Sequence, residues 1–67
     1  MLAELPLFEL RRARELSQQD LAQVLGATQP EVSKIEHRAD LYVSTLRRYI
    51  EALGGQLEIT ARFPDGR

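Results

Sequence analysis

The chain has 67 residues, a formal net charge of −1, 43% apolar and 28% charged side chains, which makes it one domain with a marginal core, since chains of this size bury only roughly 60% of their unfolded surface. It has no cysteine and one histidine, so a disulfide framework and a Cys- or His-rich zinc site are excluded, and no metal or cofactor is expected. No apolar run approaches the roughly 20 residues of a membrane span, and the start, Met1-Leu-Ala-Glu-Leu-Pro, lacks the basic and apolar regions of a signal peptide, which points to the cytoplasm.

Pro6 suits a first helical position, where its missing N–H needs no partner, and Leu7, Leu10 and Ala13 recur at helical spacing, which predicts a first helix over 6–14. Arg11, Arg12 and Arg14 lie between them and read as a solvated face paired with Glu15 and its neighbours. Ser17 is suited to cap a second helix over 18–25, with Asp20 at the third helical position reaching back and Leu21, Ala22 and Leu25 as the buried stripe. Gly26 follows, where the left-handed conformation that ends many helices costs glycine nothing. Thr28 caps a third helix over 29–37, with Pro30 in its first turn and Val32 and Ile35 facing inward.

From Arg38 to Val43 no helical period holds; Ser44 then caps a fourth helix whose Leu46, Ile50 and Leu53 face inward and which Gly54-Gly55 stops. Tyr42 and Tyr49 read as packing at the edge of the core with their hydroxyls in water, and His37 as a helix-end cation or cap. After the glycines the period falls to two: Leu57, Ile59, Ala61 and Phe63 alternate with Gln56, Glu58, Thr60 and Arg62, the pattern of a half-buried strand. A lone strand leaves its N–H and C=O groups open, so it is expected to pair antiparallel with a second copy across a two-fold axis. Pro64-Asp65-Gly66 reads as a turn or frayed tail. The expected division is a helical body over 1–55 and a dimerisation strand and tail over 56–67.

The net charge alone argues against nucleic acid, but residues 11–48 hold seven basic side chains against five acids, and the ends carry the compensating acid. Two short helices hinged at Gly26, with Ala22 small at their crossing, form a helix-turn-helix, which sets the start of its second helix in the major groove. Gln29, Pro30, Glu31, Ser33 and Lys34 are then the base-reading candidates: Gln29 for adenine N6 and N7, Lys34 for guanine or a phosphate, and Pro30 for a thymine methyl, while Glu31, repelled by phosphates, either accepts from cytosine N4, pairs with a neighbouring base or points away. Gln18, Thr28, Arg38, Ser44 and Thr45 are the phosphate candidates. Glu36 and Asp40 lie four apart but lack a third ligand and read as an exposed loop start rather than a metal pair. No titratable pair is placed for catalysis, so an enzyme is not expected.

Leu16 to Glu36 resembles the helix-turn-helix of the Xre and phage-repressor family, with Gln18, Ala22, Gly26, Gln29, Val32 and Ile35 in the motif positions. That resemblance implies that Gln18, Gln29 and Lys34 meet DNA, while Ala22, Gly26, Val32 and Ile35 hold the two helices together. The stretch from Glu36 to Gly66 resembles antitoxins of the HigA and HipB type. It implies a dimeric repressor that binds an inverted-repeat operator in its own operon and pairs with a cognate toxin, often an mRNA-cleaving one. Proteins of that type often carry a further segment before the region matching helix 1, and the chain starts almost at that helix, so the toxin-binding part is expected to be missing. The expected fold is mostly α: a four-helix phage-repressor-like helix-turn-helix domain whose C-terminal β-strand, with Leu57, Ile59, Ala61 and Phe63 as its apolar face, pairs across a homodimer. The alternatives are a stand-alone Xre-type regulator and a module that chiefly neutralises a toxin.

Overall fold

The structure is a computed structural model that describes residues 6–65. Four helices follow one another, α1 Leu7–Ala13, α2 Gln18–Leu25, α3 Gln29–His37 and α4 Val43–Ala52. The bounds of α2 and α3 are those expected, because each begins with a capping box that the sequence spells out. Ser17 Oγ accepts from the Asp20 N–H and Asp20 Oδ2 from the Ser17 N–H, both at 3.0 Å. Thr28 Oγ1 accepts from the Glu31 N–H at 3.3 Å, and Glu31 Oε1 accepts from the Thr28 N–H at 2.8 Å.

The other two helices begin differently from the expectation. Pro6 is the residue before α1, with ψ 143°, rather than its first helical residue. Ser44 lies inside α4 and caps nothing: Tyr42 is the N-cap and supplies no side-chain acceptor.

The core is built from Leu21 and Ala22 of α2, Val32 of α3, and Tyr49 of α4 with Leu53 just beyond it; Leu7, Leu10, Leu16, Leu25, Ile35 and Ile50 pack against it. Ala22 is 4% exposed, and its small side chain lets α2 lie close to α3 at the turn. Two corrections follow from the burial. Tyr49 is fully buried rather than at an edge, and Arg11 is the one charged residue in the buried set, at 7% exposure, rather than part of a solvated face. Tyr42, by contrast, is 79% exposed and packs into no core.

Beyond Leu53 the chain leaves this body. The molecule measures 45 × 20 × 19 Å, whereas ten helical residues span only about 15 Å. Among the described residues no strand is formed, and of the expected apolar face only Leu57 is half-buried while Ile59, Ala61 and Phe63 are exposed. A strand exists through its ladder of hydrogen bonds, and a single chain with one such segment has nothing to pair it with. No described helix is long and apolar enough to cross a membrane.

Three helices end in the same way, with one residue at positive φ and two backward hydrogen bonds that satisfy the last carbonyls, the Schellman arrangement. After α2 the residue is Gly26 at φ 69°, with Gly26 N–H on Gln23 C=O and Ala27 N–H on Ala22 C=O. Past α4 it is Gly54 at φ 91°, with Gly54 N–H on Glu51 C=O and Gly55 N–H on Ile50 C=O. Following α1 it is Glu15 at φ 59°, with Glu15 N–H on Arg12 C=O and Leu16 N–H on Arg11 C=O. Glutamate has no local bond that favours this conformation, and left-handed backbone costs an L-residue about 1–2 kcal/mol. Glu15→Asn, which tolerates positive φ and adds no chain entropy to the unfolded state, is therefore expected to stabilise the fold by about 0.5–1 kcal/mol. In a domain this small the gain reads as a thermal midpoint raised by about 2–8 °C, measured by circular dichroism.

Candidate nucleic-acid interface

Glu36 sits on α3, four residues after buried Val32, so its side chain continues the inward stripe of that helix. Its carboxylate is 1% exposed. An uncompensated charge there would cost several kcal/mol, and the structure compensates it completely. Arg11 Nε of α1 donates to Oε2 at 2.6 Å and Arg11 Nη2 to Oε1 at 3.2 Å. Gln18 Nε2 of α2 donates to Oε1 at 2.9 Å, and the Tyr49 hydroxyl of α4 donates to Oε2 at 2.6 Å. Tyr49 Oη also lies 3.1 Å from the Leu7 C=O, but a phenol has one proton and the short bond to the carboxylate takes it. The remaining reach of Arg11 goes to the backbone: Nη1 donates to the Leu16 C=O at 2.9 Å, holding the turn between α1 and α2.

The titration behaviour follows from this geometry. Burial alone raises the Glu36 carboxyl, but the bonds from Arg11, Tyr49 and Gln18 outweigh it and hold the group below its ordinary value of 4.5. The bond to Glu36 holds the Arg11 guanidinium above its usual value against the opposing effect of burial. Burial, and then donation to Glu36, pushes the Tyr49 phenol far up. All three groups therefore stay in the charge state that the network needs at neutral pH.

The network reaches the surface through one further bond, from Gln29 Nε2 at the start of α3 to Gln18 Oε1, 3.2 Å long. Its direction is forced. An ionised carboxylate only accepts, so Gln18 must turn its NH2 to Glu36, which leaves its carbonyl to Gln29, which must in turn present NH2. Gln29 then keeps a free carbonyl oxygen and one N–H side by side on an exposed amide, the pair that matches adenine N6 and N7. Gln18, half-buried, keeps one N–H.

The other expected residues divide into groups. Lys34, Arg38 and Thr45 come together, with Glu31, Ile35, Leu41 and Tyr42, around a depression of about 250 Å³ between α3 and the start of α4. Arg38 and Tyr42 also border a second one of about 270 Å³ with Asp40 and Leu41. Pro30 and Ser44 are exposed, on the first turns of α3 and α4. The start of α4 has no side-chain cap, so its first N–H groups are open to an anion in a way that those of α2 and α3 are not.

Glu31 and Thr28 are bound to each other at the start of α3. Glu31 Oε1 is turned back onto the helix start, accepting from the Thr28 N–H at 2.8 Å and from Thr28 Oγ1 at 3.0 Å, and those bonds from the Thr28 backbone and side chain hold its carboxyl below the ordinary range. The cap thus occupies the Thr28 N–H and hydroxyl and one of the two Glu31 carboxylate oxygens. Ser33 is half-buried, and its carbonyl accepts from His37 Nδ1 at 2.7 Å, which makes His37 the helix-end group expected of it.

The network residues Arg11, Glu36 and Tyr49 are the ones that sequence reasoning missed. The signal was present: Arg11 falls four after Leu7, Glu36 four after Val32 and Tyr49 four before Leu53, each inside an apolar stripe. The two arginines of α1 and the one that follows it have three fates. Arg11 is buried, Arg12 lies 5.1 Å over the Phe8 ring, and Arg14 Nε donates to the Leu53 C=O at 3.0 Å.

A helix-turn-helix domain family model matches residues 2–62 of the sequence. The chain belongs to this helix-turn-helix family. A curated relative from Mycobacterium tuberculosis, "Putative antitoxin HigA2", is 44% identical over 59 residues, 85% of this chain and 58% of the relative. The chain thus spans less than two thirds of that relative's length. Two solved structures share the fold over 98% of the chain at 38% identity. One is a DNA-bound antitoxin HigA3, with a TM-score of 0.86 over 87% of its own chain. The other is a HigA antitoxin described as inducing DNA bending by a unique dimerization, with a TM-score of 0.83 over 90% of its chain.

Removing one partner of the buried pair is expected to cost far more than the pair itself contributes. Arg11→Met should destabilise by about 3–5 kcal/mol, a large share of the stability of a 67-residue domain. Chemical denaturation checks this; a loss below about 1 kcal/mol would be at odds with the network. The pH dependence has a definite sign. Glu36 titrates lower in the folded chain than in the unfolded one, so its contribution is complete above about pH 4.5 and is lost as the pH falls below that. Urea midpoints between pH 3 and 6 should therefore fall less steeply with acid in Glu36→Gln than in the parent.

Proposed function

We propose that the chain is a sequence-specific DNA-binding repressor of the antitoxin kind, which binds the inverted-repeat operator of its own operon as a dimer. The observation that carries this reading is the Gln18–Gln29 hydrogen bond, which holds a base-reading amide at the exposed start of α3 with its orientation set from the core. The relatives support it: similar structures are a DNA-bound HigA antitoxin and a HigA antitoxin whose dimerization bends DNA.

In this reading α3 lies in the major groove. Gln29 reads adenine, Pro30 borders a thymine methyl, and Ser33 and Lys34 follow along the same helix. Gln18, Arg38, Ser44 and Thr45 meet phosphates. Glu31 and Thr28 hold the cap that shapes the start of the reading helix. Residues 1–55 form the DNA-binding body and residues 56–67 the dimerisation segment, which pairs through Leu57, Ile59, Ala61 and Phe63. The work is binding rather than catalysis, its site is the cytoplasm, and the operon supplies a toxin as second partner. The toxin pairing rests on the antitoxin relatives.

Gel shifts with DNA from the chain's own promoter test the reading, and equal affinity for operator and random DNA at moderate salt would overturn it. Gln29→Ala should cost about 1–3 kcal/mol on the operator and relax the preference at one base pair of each half-site. Arg38→Ala should instead weaken all DNA alike and lower the salt slope by about 0.9 per protomer. The two half-sites should be centred about 34 Å apart, one helical turn, which footprinting reads directly.

A further inference from the structure

Residues 56–63 carry an apolar face that nothing covers in the single chain, with Ile59 63% and Phe63 60% exposed. At the root of that segment lies an open, mostly apolar groove of about 220 Å³ between α1 and the end of α4, lined by Leu10, Ala13, Arg14, Ile50, Leu53 and the Gly54-Gly55 turn. Its size suits one aromatic ring, since an engineered cavity of about 150 Å³ already takes up benzene.

Resting on the dimer reading above, we propose that two copies pair in the register that sets Thr60 opposite Thr60 of the partner subunit, and that Phe63 of each copy fills the groove of the other. In an antiparallel pair centred on residue 60, each residue faces the one equally far on the other side of that centre. Leu57 then faces the partner subunit's Phe63 and Ile59 faces the partner subunit's Ala61, all on one face. Glu58 faces the partner subunit's Arg62 on the other, an opposite-charge pair repeated by the symmetry.

The neighbouring registers do worse. Centring on Ile59 sets Glu58 against threonine, and centring on Ala61 sets it against Pro64. Moving to Glu58 or Arg62 stacks like charges across the axis, which is destabilising. A one-residue slip turns one apolar face outward. A two-fold perpendicular to the ribbon keeps both apolar faces, and so both helical bodies, on the same side. Leu57, half-buried and two residues after Gly55, then sets the partner ring near the Gly54-Gly55 end of the groove.

The chain has no cysteine, so single-cysteine variants of the full chain report the register directly. Under mild oxidation Thr60→Cys should form the disulfide dimer fastest, because only residue 60 faces its own symmetry mate within the Cα separation of about 4.4–6.8 Å that a disulfide needs. Faster linkage at Ile59→Cys or Ala61→Cys overturns the register. Glu58→Arg and Arg62→Glu should each weaken the dimer in sedimentation equilibrium and together restore it; no recovery overturns the register as well.

For the groove, Phe63→Ala removes the ring and Ala13→Leu fills its place from an exposed helical position. Each should raise the dimer dissociation constant at least about tenfold while the helical circular dichroism is unchanged. An unchanged constant in both overturns the groove contact. A parent chain that sediments as a monomer at millimolar concentration overturns the dimer reading itself, which separates that failure from a wrong register.

Discussion

One carboxylate joins all four helices. Glu36 of α3 receives Arg11 from α1, Gln18 from α2 and Tyr49 from α4, at 2.6–3.2 Å. A leucine at this position would bury similar surface without the cost of dehydrating two charges, and buried ion pairs are often no better for stability than apolar substitutes. What the carboxylate adds is direction. Its acceptor sites demand a donor from each neighbouring helix at a fixed angle, so sliding or rotating any helix breaks a charge-assisted bond. Apolar packing among Leu21, Ala22, Val32 and Leu53 tolerates small shifts far better. The outcome that matters for function is the last link, in which Gln29 is oriented from the core rather than by its own exposed surroundings.

The parts of this arrangement that the sequence discloses are the local ones. Capping boxes and Gly26 act within four residues, so α2 and α3 can be read from the chain to the residue. The start of α4 could not, because Ser44 is a good cap by type and nothing local says that Tyr42 takes the position instead. Arg11 and Glu36 are 25 residues apart, and each alone resembles a surface charge. Only their joint position within two apolar stripes marks them as a pair. Tyr49 is legible as structural, but nothing local to it points its hydroxyl away from water, because its acceptor lies on a different helix. The alternation of Leu57 to Phe63 is plain in the sequence, yet a strand is a relation between two segments and the chain has one.

The same bonds explain how a chain of net charge −1 can present a surface suited to a polyanion. Of the five acids in residues 11–48, Glu36 is neutralised by Arg11, and Asp20 and Glu31 are bound to backbone N–H groups in their capping boxes. Those N–H groups carry the positive end of each helix dipole, so the acids spend their charge locally. Lys34 and Arg38 beside the reading helix have no such buried counterpart and border the same depression. Formal charge counts treat all ionised groups alike, whereas here Glu36 and the two cap acids are each held by donors of the fold and, among the described residues, only Asp40 stands beside Arg38 without such a bond.

A fixed reading helix and a fixed distance between two of them are separate requirements, and the proposed dimer would meet them with different physics. Within a protomer the polar junction is rigid because every donor and acceptor in it is satisfied; no buried side-chain nitrogen or oxygen among the described residues lacks a partner. Between protomers the proposed ribbon has a backbone ladder of about seven residues, about 20 Å long, with no charged group buried in it. Its register therefore depends on side-chain pattern alone, on which residues are large, small or charged at each step. A shift of the centre by one residue would move each body by about 3.3 Å along the ribbon in opposite directions and change the spacing of the two reading helices by roughly twice that, a fifth of a DNA turn. On the proposed reading, discrimination by spacing would reside in Glu58, Arg62 and Phe63, far from any base, and discrimination by sequence in Gln29 and the buried acid behind it.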